Sequence, residues 1–132
     1  MKVTVDTNVL LRAVVGDDEK QAKVATKLLK SAELVAVPTP CLCEFVWVLQ
    51  RVYKFTRHEV QAALEALLNA DNVVVDRSAA EAGLAMVKAG GDLADGVIAH
   101  EGRWLGGETF VSFDTVAVRL LTQQQQDARL LS

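Results

Sequence analysis

The chain has 132 residues, of which 51% are apolar, 5% aromatic and 23% charged. This profile excludes a disordered chain and predicts one domain, spanning residues 1–132, with an aliphatic core of its own. Seventeen Asp and Glu against 14 Lys and Arg give a net charge of −3 and a pI of about 5.3, so the overall balance lacks the basic footprint usual in nucleic-acid binders, though a local basic rim beside an acidic pocket is compatible with it. Cys41 and Cys43 are too few for a disulfide framework, and with only His58 and His100 beside them a zinc site is disfavoured. Asp6 falls within the first six residues and no long apolar stretch follows a basic start, so no signal peptide is expected. No apolar run approaches the roughly 20 residues of a membrane span, and a cytoplasmic protein without membrane contact is the expectation.

In chain order, Lys2–Val5 reads as a strand and Asn8–Val15 as a short helix, broken at Gly16-Asp17-Asp18. From Asp18 a helix runs to about Ser31, with Ala22, Ala25, Leu28, Leu29 and Ala32 on one stripe and Asp17 or Asp18 as its cap. Leu34–Val37 is a continuous apolar run, as in a strand buried on both faces. Pro38 and Pro40 punctuate, and Thr39 is the expected N-cap of a helix with Leu42, Phe45, Val46, Leu49 and Tyr53 on one stripe. Another helix follows Thr56, a third strand lies at Val73–Val75, and a helix from Ser78 ends at Gly90-Gly91. The last elements are a helix over about Leu93–Leu105, a strand at Thr109–Val111 and a helix over Thr115–Leu121; Gln123–Gln126 reads as helix end or tail. Strands alternating with helices predict an α/β sandwich with a mostly parallel sheet.

In such sheets, sites form beyond the carboxyl ends of strands, where helix N-termini also point. Two strands run into an acid, VTV into Asp6 and TFV-Ser112-Phe113 into Asp114. Glu44 lies a few residues after the strand LVAV, inside PCLCEFVWVL, a helix apolar nearly all round, which argues against a merely solvated side chain. Asp92 and Asp95, three apart in GGDLADGVIAHEG, share a face near a helix N-terminus. Each acid alone has an ordinary reading as a helix cap or surface group. Together they are expected to gather at one edge of the sheet. Two carboxylates about 5 Å apart repel by roughly 3 kcal/mol at an effective dielectric near 20, so four of them oppose full ionisation by on the order of 20 kcal/mol. A protein relieves that by protonating some acids or by binding a cation, and hard oxygen donors favour Mg²⁺ or Mn²⁺ over zinc. The chemistry such an ion serves is metal-assisted phosphodiester hydrolysis.

The D-T-N at Asp6-Thr7-Asn8, Glu44 in E-F-V-W-V-L, D-L-A-D-G-V-I-A at Asp92–Ala99 and S-F-D at Ser112–Asp114 together resemble the PIN-domain ribonucleases, and in particular the VapC toxins of toxin–antitoxin pairs. The resemblance covers essentially the whole chain. It implies a three-layer α/β/α sandwich around a central, mainly parallel sheet of four or five strands, an acidic Mg²⁺ or Mn²⁺ site and endoribonuclease activity. By position Asp6, Glu44, Asp95 and Asp114 correspond to the family's catalytic and metal-binding quartet, and Asp92 to a further acid found in some members. Asn8, Thr7 and Ser112 correspond to polar supports that hydrogen-bond carboxylates or bound water. The chain departs from the pattern at Leu93, where Phe is common, at Gly96, where Ala is common, and at Ser112, where Thr is common; none of these is an acid. Gly96 inside a helix costs up to about 1 kcal/mol and is expected to mark close backbone packing. The resemblance also implies a cognate antitoxin that covers the active-site groove, and a homodimer, for which the aliphatic faces of Val9–Val15 and Leu42–Tyr53 are candidates alongside a core role.

RNA needs positive charge, and Arg12, Arg51, Lys54, Arg57 and Arg103 are the candidates near the acidic edge. Tyr53 and Trp47 are expected in the core rather than stacked on bases, and His100 at the surface rather than as a general base. A PIN-like nuclease or phosphatase outside any toxin–antitoxin pair uses the same acids, and a non-catalytic RNA- or protein-binding module is the remaining alternative. No G-x-x-x-x-G-K phosphate loop is present.

Overall fold

A computed structural model describes all residues, 1–132. The chain divides into two compact units, Met1–Arg77 and Ser78–Ser132. The first holds β1 (Lys2–Thr4), α1 (Thr7–Val15), α2 (Glu19–Ser31), β2 (Leu34–Ala36), α3 (Thr39–Arg51), α4 (Arg57–Asn69) and β3 (Val73–Val74). The second holds α5, which starts at the boundary (Arg77–Ala89), α6 (Leu93–Trp104), β4 (Phe110–Ser112), α7 (Thr115–Gln123) and β5 (Ala128–Leu130). The chain is α/β and every strand pair is parallel, as the alternation predicts. The five strands form a three-stranded sheet in the order β1-β2-β3 and a separate β4-β5 pair. No helix is long and apolar enough to cross a membrane.

In the first unit β2 is the middle strand, which explains its uninterrupted apolar run: Val3 pairs with Val35 and Val35 with Val73. Val35 and, just past the strand, Val37 are buried, and α1 packs against both α2 and α3. The core there is aliphatic around one aromatic, with Leu10, Leu42, Phe45, Leu49, Val60 and Leu64 all but inaccessible. Helix ends follow local chemistry. Gly16 closes α1 in the left-handed region at φ 70°, Asp18 accepts from the Gln21 amide to start α2, and Thr56 with Glu59 forms a reciprocal capping box on α4. Thr39 is not the cap expected of it. It is the first residue of α3, Pro38 occupies the cap position, and no side chain caps that end.

In the second unit Met86, Ala99, Leu120 and Leu121 form the buried cluster, with Phe110 of β4 and Ala128 of β5 packed on it. Strand β5 escaped the sequence reading because it is three residues long and follows the glutamine tract. The tract supplies the end of α7 and then the turn, with Gln125 at φ 65°. Helix α6 approaches α5 closely at Gly96, where a Cβ would lie 2.4 Å from the Ala82 carbonyl oxygen and 2.7 Å from Met86 Cγ. Backbone cannot yield as a side-chain tip does. The Gly96→Ala variant therefore loses about 1–3 kcal/mol despite its better helix propensity, and its thermal midpoint falls by several degrees in a calorimetric or circular-dichroism melt.

Candidate functional site

Three of the five singled-out acids stand where a helix begins, just beyond a strand or turn. Asp6 caps α1, its Oδ1 accepting from the Val9 amide at 3.2 Å. Asp92 caps α6 through the Ala94 amide at 3.3 Å. Asp114 caps α7, its Oδ1 accepting from Val116 at 2.9 Å and Ala117 at 3.2 Å. Cap and ligand are thus not exclusive readings. Each cap uses Oδ1 only, which leaves Oδ2 without a protein partner and pins the carboxylate by its other oxygen. Glu44 and Asp95 lie within α3 and in the first turn of α6, and neither carboxylate hydrogen-bonds to protein.

Within the first unit, Asp6 and Glu44 both act on one buried group. The Cys41 thiol is pushed up chiefly by burial, against which the Thr7 hydroxyl works by donating to Sγ at 3.9 Å, and the charges of Asp6 and Glu44 push it up further. The thiol therefore stays protonated and takes no part as a thiolate. Thr7 is buried and ties α1 to α3 rather than reaching a carboxylate. Asp6 also lines, with Asn8, Val9, Arg12, Asp18 and Lys20, an open groove of about 560 Å³ along α1 and α2. Glu44 is exposed, contrary to the expectation for a helix apolar all round. Helix α3 buries one face only, through Cys41, Leu42, Phe45, Val46 and Leu49, and Trp47 on the other side is 53% exposed rather than in the core. The faces considered for a dimer are accordingly mostly core, with Val14, Trp47 and Val52 left outside.

Within the second unit the acids crowd Asp95. Its carboxyl is held above the usual range, first by burial and then by the charges of Asp92 and Asp114. No cation offsets them. Ser112 does not bond a carboxylate; its Oγ accepts from the Asp114 amide at 2.9 Å and so fixes the turn that presents Asp114. His100 is not a simple surface residue either: it is half-buried, and its Nε2 is buried without a hydrogen-bond partner.

The basic candidates fare unevenly. Arg12 donates to Asp17 at 2.9 Å, and Tyr53 donates its hydroxyl to the other oxygen of Asp17 at 3.0 Å. Asp17 is held below the usual carboxylate range, first by Tyr53 and then, against burial, by Arg12. Arg12 is committed to that network. Arg103 donates to Gln126. Arg51 and Lys54 are exposed, Lys54 with φ 58° just beyond α3. The signal for the Arg12–Asp17 pair, five residues apart across Gly16, is visible in the sequence only once the left-handed turn at Gly16 is known.

No group of three or more His, Cys, Asp or Glu side chains is arranged to hold a metal ion by itself. Zinc would need such a cage. Mg²⁺ does not, because it keeps several waters and takes one or two carboxylates together with substrate phosphate oxygens. The donors fit a hard divalent ion: they are carboxylate oxygens, each with at least one lone oxygen, and Asp95 is ionised only against burial and two like charges. Asp92 and Asp114 add repulsion at Asp95.

No curated protein matches the chain at significance. The family model described as PIN domain matches residues 3–120, running across both units and all five acids. PIN domains are generally nucleases that use divalent metals, and by that match this chain belongs to the PIN domain family.

Proposed function

We propose that the chain is a Mg²⁺- or Mn²⁺-dependent endoribonuclease, the toxin of a VapC-type toxin–antitoxin pair, acting in the cytoplasm as a homodimer and held in check by a cognate antitoxin. The observation that supports it most is the PIN-domain match over residues 3–120 in a chain that has every acid of the nuclease pattern, with the charges of Asp92 and Asp114 acting on a half-buried Asp95. A module that only bound RNA would gain nothing from carboxylates that repel both one another and the phosphates. In this reading Asp6 and Asp95 are direct metal ligands. Glu44 and Asp114 hold the ion through water or orient the attacking water, and Asp92 adds charge beside Asp95. A bound divalent ion supplies Lewis acidity toward the scissile phosphate and an activated water. The protein's own part is to hold the oxygens in place: the caps fix Asp6 and Asp114, and Ser112 fixes the Asp114 amide.

Asn caps a helix as well as Asp does, so Asp6→Asn and Asp114→Asn retain the fold while losing a charge. Loss of a supporting partner typically costs 10–100-fold in metal affinity or activity; Asp6→Asn or Asp95→Asn, each removing a ligand, lowers cleavage of single-stranded RNA in Mg²⁺ by at least about 100-fold. The double variant is little worse than either single one, because groups acting as a unit are not additive. Cleavage at the wild-type rate by either single variant defeats the assignment, and turnover of flapped DNA or a phosphomonoester in preference to RNA redirects the substrate class.

A stability consequence follows from Asp95. Its folded pKa lies above its unfolded one, so the folded state binds more protons in that window and stability falls as pH rises through it, then stays reduced. Asp95→Asn removes this penalty. In metal-free buffer at neutral pH its melting temperature exceeds that of wild type, and the difference closes on acidification toward the ordinary carboxylate range. Mg²⁺ or Mn²⁺ raises the wild-type melting temperature and raises that of Asp95→Asn less.

A further inference from the structure

A chain of net charge −3 that takes RNA must hold a polyanion somewhere. Arg12 is committed to Asp17, Arg103 to Gln126 and Arg77 to the Leu68 carbonyl. Arg51, Lys54 and Arg57 are exposed around the α3–α4 connection, and the longest run of cations on one helix is on α2. Lys20, Lys23, Lys27 and Lys30 recur there at spacings of three, four and three, which places them within an arc of about 80° over a length of about 15 Å. All four are exposed, and none has a hydrogen bond or ion pair. Asp17, Asp18 and Glu19 precede this row and Glu33 follows it, with Asp17 engaged by Arg12 and Tyr53. Asp18 is engaged in capping α2 through the Gln21 amide, and Glu19 is the first residue of the helix.

Such a row opposes helix stability. Lys20–Lys23, Lys23–Lys27 and Lys27–Lys30 are like-charge neighbours on one face, each unfavourable, and a surface that served solubility alone would intersperse both signs. Lys20 lines the groove that Asp6 borders, while Lys23, Lys27 and Lys30 line a separate shallow depression on the outer side of the same helix with Ala22, Thr26 and Ser31.

We propose that this lysine ridge is the docking surface for the phosphate backbone of single-stranded RNA, with its Lys20 end at the rim of the groove that Asp6 borders. It rests on the ribonuclease reading above and adds the surface by which substrate is held. Replacing the four lysines with Gln keeps helix propensity and removes the like-charge pairs, so the variant melts no lower than wild type.

The test titrates labelled single-stranded RNA of mixed sequence in EDTA, where metal-dependent cleavage is off, over a series of NaCl concentrations. Each phosphate contact contributes about 0.7 to the slope of log K against log salt, so K20Q/K23Q/K27Q/K30Q loses a slope of about 3 and binds at least tenfold more weakly at low salt. The matching Lys→Arg variant keeps both. In Mg²⁺ the Gln variant shows a raised KM. A Gln variant with wild-type affinity and salt slope overturns the ridge while leaving the nuclease reading intact, as does one that instead loses only an acidic protein partner. A Gln variant that melts below wild type makes the lysines structural and also overturns it. Wild-type protein that neither binds nor cleaves the RNA overturns the nuclease reading itself.

Discussion

The functional reading of the second unit rests on a half-buried carboxylate with like charges acting on it. Asp95 is partly withdrawn from water in the first turn of α6, with the charges of Asp92 and Asp114 acting on it. Partial burial disfavours the charged form, and like charges disfavour it further. A chain under selection for stability alone would replace one of these acids with an amide, since Asn caps a helix equally well. Retaining the acids is sensible where a cation arrives to offset them, which is the physical link between the packing of this region and metal-dependent nuclease chemistry.

The way the acids are held reconciles two demands. A metal ligand needs a fixed direction and an oxygen left over, and a helix start needs an acceptor for its orphan amides. Asp6, Asp92 and Asp114 meet both with one carboxylate each, Oδ1 on the backbone and Oδ2 without a protein partner. The macrodipole at each helix start favours the negative charge placed there, which softens the repulsion without removing it. Helix α6 also comes close to α5 at position 96, where any side chain would meet the Ala82 backbone. The cost in helix propensity at Gly96 is therefore the cost of that close packing.

Charge elsewhere is sorted by partner. Asp17 draws in Arg12 and Tyr53 together, so an arginine near the acidic edge becomes a structural tie between α1, the turn after it and the residues past α3. The lysines of α2 have no such partner and remain exposed. Net charge says little about binding a polyanion when cations and anions are segregated in this way.

The sequence by itself determined the alternation of parallel strands and helices, the continuous apolar middle strand, an aspartate cap at the start of α2, and the positions of Asp6, Asp92, Asp95 and Asp114 at or near helix starts. These follow from periodicity and from hydrogen bonds spanning two to four residues, which a linear reading captures. The lysine spacing on α2 was equally legible, but it acquires meaning only when Lys20 is seen to share a groove with Asp6. Only the tertiary structure decided that the strands divide into three and two, that a three-residue β5 exists by pairing with β4, that Glu44 and Trp47 lie on the open side of α3, and that Ser112 serves an amide rather than a carboxylate. Each of these depends on which faces meet and on partners brought together by a turn or by residues distant in sequence, and local pattern carries no information about either.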